Sequence, residues 1–438
     1  MVKYIVMSDR KIQLLRSKKM HIILIFSFVL IGAGFIILSQ AAVNTASIEA
    51  EVTTPLPPAR LVQDSNASKG NAVRFSATTP SGTGMSVDGN TFKKDGAAFY
   101  PKGFNSIGIL QPDNCPRKKG DPTTAAANFN QNMFTALKNT WKGNIIRLQV
   151  SQKGSDPQDS ELKSGHAAYL TKVSNAVSLA RSNGIVVILS MQDQTYSCGS
   201  AHPLPSSETL RAWQTLAPLY KNNPYVMFEL FNEPVNQTGD ADWAQWRNGG
   251  STPLSNNGYD VVGHQALVTA IRATGANNVL IASGANKGGK LQGLWQSATK
   301  NYMLTDTLAT PQIGLAIHPY YYHIGNNTSL ASDTSNWESR FGYMRNTSII
   351  PLNKQVPIIS TEWNAFSDCY AGQAARTPEF LNYLKSKDIG MAAHAIDIAG
   401  LIVTNVPGWQ PSSFGANECD GLGGSDAGQV LQSFYAAN

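Results

Sequence analysis

Tyr225-Val226-Met227-Phe228-Glu229-Leu230-Phe231-Asn232-Glu233-Pro234 sets the pattern by which the rest of the chain is parsed. It opens as an apolar, β-prone run with one acid inside it and stops at a proline, which cannot donate to a strand ladder. Seven more apolar runs of this kind follow the same theme: Phe99–Phe104, Asn144–Val150, Ile185–Met191, Val279–Ser283, Ile313–His318, Val356–Thr361 and Met391–Ile396. Helical patterns fill the gaps at Ala125–Trp141, Ala167–Arg181, Ser206–Tyr220, Tyr259–Ala273, Thr377–Lys385 and Ala427–Ala436. The second of these ends at Asn183-Gly184, a C-cap signal. Alternating strands and helices over residues 86–438 predict an α/β fold, a (β/α)8 TIM barrel. A doubly wound open sheet is the competing architecture, but the Gly-rich dinucleotide loop that would mark it is missing. Ahead of the barrel, the turns Asp88-Gly89 and Asp95-Gly96 predict a short N-terminal β-hairpin.

In such a barrel, chemistry gathers where strands end and βα loops begin. The fourth strand ends at Glu233, and the seventh, Ile358-Ile359-Ser360-Thr361, runs into Glu362-Trp363. Two carboxylates three strands apart in a closed eight-strand ring face each other across the mouth. Glycosidic cleavage needs such a pair, one to protonate the leaving oxygen and one to attack or to activate water. The sixth strand ends His318-Pro319-Tyr320, the second carries Arg147, and the third ends at Gln192. Glu229 has the strand parity of Glu233 but lies deeper, so it reads as a core ion-pair residue, with Lys102 of the first strand as the expected partner.

The Asn232-Glu233-Pro234 triplet after an apolar strand, paired with Glu362 at the end of a VPIIST strand, resembles glycoside hydrolase family 5, the cellulase-type family. The resemblance covers residues 86–438. It implies a retaining mechanism with Glu362 as nucleophile and Glu233 as acid/base, Asn232 on the sugar 2-hydroxyl, Arg147 beneath the nucleophile, and His318 and Tyr320 lining the pocket. Two departures stand out. Many members carry a histidine where this chain has Gln192, and a sugar-stacking tryptophan where it reads His394-Ala395-Ile396-Asp397. Trp363, Trp409, Tyr321 or Tyr322 are candidates to supply that aromatic surface. The resemblance implies a β-linked glucan as substrate and endo action, with β-mannan, exo action, transglycosylation or a non-catalytic carbohydrate-binding role as alternatives. No cofactor, metal or nucleic-acid partner is expected, and a monomer is.

The formal net charge of +6 fits this reading once it is located. Residues 1–20 hold six cations against one anion, so the rest of the chain is nearly neutral and offers no basic surface for nucleic acid. Ile22 to Leu38 is an unbroken apolar and small run behind those cations, read with its flanks (21–40) as a signal anchor, or a cleaved signal peptide, with the N-terminus cytoplasmic. Residues 41–85 are Ser/Thr/Pro-rich and read as a flexible linker. The protein is therefore expected to be extracellular, membrane-anchored or secreted. Cys115, Cys198, Cys369 and Cys419 suit an oxidising compartment, and the barrel order favours Cys115–Cys198 and Cys369–Cys419 among the three possible pairings.

Overall fold

In the computed structural model the chain divides into two compact units, Met1–Thr79 and Pro80–Asn438. The structure describes residues 83–110, 129–159, 165–193, 202–251, 259–320, 330–363, 376–398, 402–412 and 427–438, with the backbone of 59–63 and 71–75. The expected signal segment and all four cysteines lie outside the described residues. Among the described residues, no helix is long and apolar enough to cross a membrane. In the first unit, Ala59–Gln63 pairs antiparallel with Asn71–Phe75, within the segment read as linker. The β-branched and apolar residues Leu61, Val62 and Val73, flanking the turn-prone stretch from Asp64 to Gly70, account for a hairpin where coil was expected.

The second unit contains eight parallel strands that close into a barrel. In chain order they are Lys102–Ser106, Ile145–Ser151, Val186–Gln192, Val226–Glu229, Leu280–Ser283, Ile313–Ile317, Ile358–Ser360 and Gly390–Ala393. Each of the eight predicted runs overlaps one. Gly103 is required where the first and second strands pair, because a Cβ there would sit 1.9 Å from the Ile145 carbonyl oxygen. The outer helices begin and end where sequence chemistry says they should. Ser206 caps Ser207–Tyr220 by accepting from the Glu208 N–H, while Thr209 accepts from the Ser206 N–H in a capping box. His166–Ser182 ends in Asn183 and a left-handed Gly184.

Some elements differ from expectation. Residues Asp260–Val262 form a strand against Gly249–Ser251 rather than the start of a helix, and His264–Ala273 begins only after Gly263. Gly263 packs so closely that a Cβ would lie 2.3 Å from the Arg247 carbonyl oxygen. The helices Asp240–Asn248 and Leu330–Arg340 escaped the sequence reading because both are polar with only a narrow apolar stripe.

The barrel interior is layered. At its N-terminal end Ile145, Val186, Ile188, Met227, Ile281, Ala316, Ile359 and Ala392 form an apolar cluster. Three short antiparallel strands, Met85–Asp88, Thr91–Lys94 and Ala97–Ala98, extend the expected hairpin and press Met85, Val87 and Phe92 into that cluster. The floor is thus sealed with hydrocarbon, and polar inward positions are confined to the opposite, C-terminal end.

Candidate active site

The inward parity of each strand carries polar groups up to the mouth. Arg147 and Gln149 follow Ile145 on the second strand, Ser190 and Gln192 follow Ile188 on the third, and Glu229 follows Met227 on the fourth. Arg147, fully buried, donates to Glu229 Oε2, to Asn105 Oδ1 and Glu362 Oε1 at 2.6 Å each, to Ser190 Oγ at 2.7 Å, and to Asn232 Oδ1 at 2.6 Å. Its five-donor fork is therefore divided between two carboxylates and three neutral acceptors. Gln149 adds a second donor to Glu362 Oε1 at 2.8 Å, and Tyr320 O–H donates to Glu362 Oε2 at 3.1 Å.

His318 sits between the carboxylates. Its Nδ1 lies 3.0 Å from Glu233 Oε1 and 3.7 Å from Glu362 Oε2, while Nε2 lies 3.0 Å from Thr361 Oγ1. Burial pushes the imidazole pKa down, but the Glu362 charge and hydrogen bonding to the Glu229 and Glu233 carboxylates raise it to about 9. Burial pushes Glu362 up, yet the charges of His318 and Arg147 hold it at about 2. Glu229 is fully buried, and the Arg147 charge overcomes that burial to keep its carboxyl well below the usual range. Ser283 and Thr361 donate to its other oxygen at 2.9 and 2.8 Å. Glu229 thus pairs with Arg147, not Lys102, whose ammonium instead donates to the Tyr435 carbonyl at 2.5 Å. Strand parity explains the change: Arg147 points inward beside Glu229, whereas the Lys102 side chain leaves toward the last helix.

Ligand atoms of Glu233, His318 and Glu362 all lie within 4.8 Å of one another. They could surround a cation by spacing alone, but an imidazole bonded at both nitrogens and charged up to about pH 9 is a poor metal ligand. The arrangement suits proton transfer and charge stabilisation instead. Exposure separates the roles: the Glu233 side chain is 15 % exposed, Glu362 8 % and Glu229 0 %, so only the first two can meet a substrate.

Glu233 adopts a left-handed φ of 49°, uncommon for a side chain of its size and more so before proline. Neighbouring loops hold it there. Pro203 O accepts from the Val235 N–H and Pro234 O from the Lys287 N–H, at 2.9 and 2.8 Å.

The family model of the cellulases, glycosyl hydrolase family 5, matches residues 111–400. The chain belongs to this family. Among curated relatives, it is 26% identical over 267 residues to an endoglucanase of Halalkalibacter akibai, covering 58% of this chain and 30% of that protein. It is 22% identical over 273 residues to endoglucanase Z of Dickeya dadantii, covering 61% and 51%. The chain thus spans about half or less of the length of these relatives. Among solved structures, a β-glucanase of Saccharophagus degradans in complex with cellotetraose superposes with a TM-score of 0.57 at 20% identity, covering 82% of this chain and 94% of that one. The hyperthermophilic endocellulase of Pyrococcus horikoshii gives 0.54 at 16% identity, covering 82% and 100%. These likenesses show the fold.

Within this family-5 barrel, Arg147, Asn232, Glu233, His318, Tyr320 and Glu362 are joined by hydrogen bonds and ion contacts at the strand ends. Gln192 is buried at the third strand end, 2% exposed. Trp363 follows Glu362 but is 2% exposed and stacks on Phe380, so it packs rather than presenting an open face. Trp409 is 5% exposed, and Tyr321 and Tyr322 lie outside the described residues. Asp397 binds the first βα loop, accepting from Ser106 Oγ at 2.6 Å and from the Ile107 and Gly108 N–H groups at 2.9 Å. Burial pushes its carboxyl up to about 6. Sequence reasoning missed Asn105, Gln149, Ser190, Ser283 and Thr361, although inward strand parity marks all of them.

Proposed function

We propose that this chain is a retaining β-glucan hydrolase, endo-acting and cellulase-like, with Glu362 as nucleophile and Glu233 as acid/base. One observation carries the reading: two mouth carboxylates lie within 4.8 Å, close to the spacing of double displacement and well short of the roughly 6.5–9.5 Å that an inverting pair leaves for water. Ionised Glu362 attacks the anomeric carbon as Glu233 gives its proton to the departing glycosidic oxygen. The C–O bond breaks and a glycosyl ester forms on Glu362. Glu233 then takes a proton from water, whose oxygen attacks the same carbon and frees Glu362. Arg147, Gln149 and Tyr320 hold the nucleophile, and the His318 charge helps keep Glu362 ionised. Asn232, anchored by Arg147, presents its amide to the sugar 2-hydroxyl.

The neutral barrel suits an uncharged glycan, and the endoglucanase relatives favour a β-glucan over a β-mannan. A panel of β-glucans and β-mannans with product sizing tests substrate and endo action. Mass spectrometry after reaction with a 2-deoxy-2-fluoro-β-cellobioside should find the glycosyl adduct on the peptide holding Glu362. An adduct elsewhere, or inversion at the anomeric carbon, would sink the mechanism. The N-terminal 85 residues are proposed to place the barrel outside the cytoplasmic membrane; fractionation that found the enzyme in the cytosol would refute this.

A further inference from the structure

The third barrel strand ends in two buried polar residues that the mechanism leaves unused. Gln192 is 2% and Asp193 0% exposed, and among the described residues neither Gln192 Oε1 nor Asp193 Oδ1 has a hydrogen-bond partner. Asp193 Oδ2 turns to His202, accepting from its backbone N–H at 3.1 Å and lying 2.5 Å from Nδ1. That hydrogen bond raises the His202 pKa against the opposing effect of burial; the Asp193 and Glu208 charges add to it and Lys153 opposes. Tyr259 packs edge-on at 4.6 Å, its own O–H fixed by the backbone of Leu204.

Two features separate this imidazole from a core histidine. His264, fully buried, bonds the Trp246 carbonyl and is driven by burial to about pKa 4. The His202 side chain is 24% exposed, and its Nε2 makes no hydrogen bond among the described residues. The next residue, Pro203, bonds Val235, two positions beyond Glu233. A carboxylate-held imidazole, with one nitrogen unbonded among the described residues, thus stands at the barrel mouth and is tied to the Glu233 loop.

We propose that His202, oriented by Asp193, is a substrate-binding residue whose Nε2 hydrogen-bonds a hydroxyl of the glucan chain beside the scissile bond. Asp193 is its positioning residue. The proposal rests on the glucan-cleaving reading. Its test is calorimetric titration of cellotetraose into the full chain carrying Glu362→Gln, which removes turnover. Adding His202→Ala should weaken Kd about 10-fold, the value of one hydrogen bond. Asp193→Asn should weaken it by a smaller factor, and His202→Gln, which keeps a donor, should recover part of the loss. His202→Gln also serves as the variant of record should His202→Ala lose its unfolding transition. A Kd within 2-fold of the parent in both His202 variants would overturn the proposal while leaving the glucanase reading intact. Failure of the Glu362→Gln parent to bind cellotetraose would overturn both.

Discussion

Arg147 donates to Glu229, Asn105, Glu362, Ser190 and Asn232 from a position with no solvent exposure, so its charge has no substitute in water. Arg147→Met should cost about 3–5 kcal/mol, the usual effect of stranding a buried partner charge, measured by urea denaturation. Activity should fall to background in the same variant, since Glu362 loses a bonded donor. His318 sets a pH signature. Its folded pKa of about 9 exceeds the ordinary 6.5, so the stability it contributes is full below 6.5 and lost as pH rises through 9. Glu362 has the opposite sign: its pKa of about 2 lies below 4.5, so its contribution is full above 4.5 and lost as pH falls through 2. The Tm should therefore plateau between roughly pH 4.5 and 6.5, and His318→Gln should flatten the alkaline fall. An unchanged alkaline limb in that variant would contradict the assignment. The residues proposed to do chemistry were legible in the sequence because strand ends mark them, at Glu233 and His318 with a proline following. Their supporting donors were not, because a serine or threonine inside a strand looks like any other until the strand's neighbours are known.

Among the elements, the loop after the fifth strand shows what a linear pattern hides. Asn286, Lys287 and Gly288 are consecutively left-handed, with φ of 52, 56 and 74°. Lys287 bonds the Pro234 carbonyl, and Gly288 O accepts from the His318 N–H at 2.9 Å. One loop thus braces both the Glu233 turn and the histidine between the carboxylates. A Cβ at Gly288 would lie 2.9 Å from His318 Cγ, in a backbone conformation that already disfavours side chains. Gly288→Ala should cost about 1–3 kcal/mol and lower kcat with little change in KM, checked by thermal melting and steady-state kinetics. The N-terminal sheet makes the reverse prediction. Phe92, 3% exposed, fills the barrel floor away from the mouth. Phe92→Ala should cost roughly 3–5 kcal/mol in denaturation while leaving KM unchanged. The glycines and aromatic were visible in sequence; which surface each one touches was decided by strands far apart in the chain.

For the whole molecule, residues 80–438 form one compact unit, so a fragment with these bounds should fold alone and release reducing sugar at the full-length rate. A fragment that stayed insoluble, or lost most of that rate, would assign the preceding residues a part in the catalytic unit. The sequence by itself determined the eight-strand barrel, the opposed glutamates and the near-neutral surface, because apolar period, turn chemistry and charge are local properties. Tertiary structure decided that Glu229 pairs with Arg147, that Trp363 packs inward, and that Asp193 reaches His202. These depend on barrel closure, which fixes the inward parity of every strand at once and brings together groups whose sequence separation carries no trace of their contact.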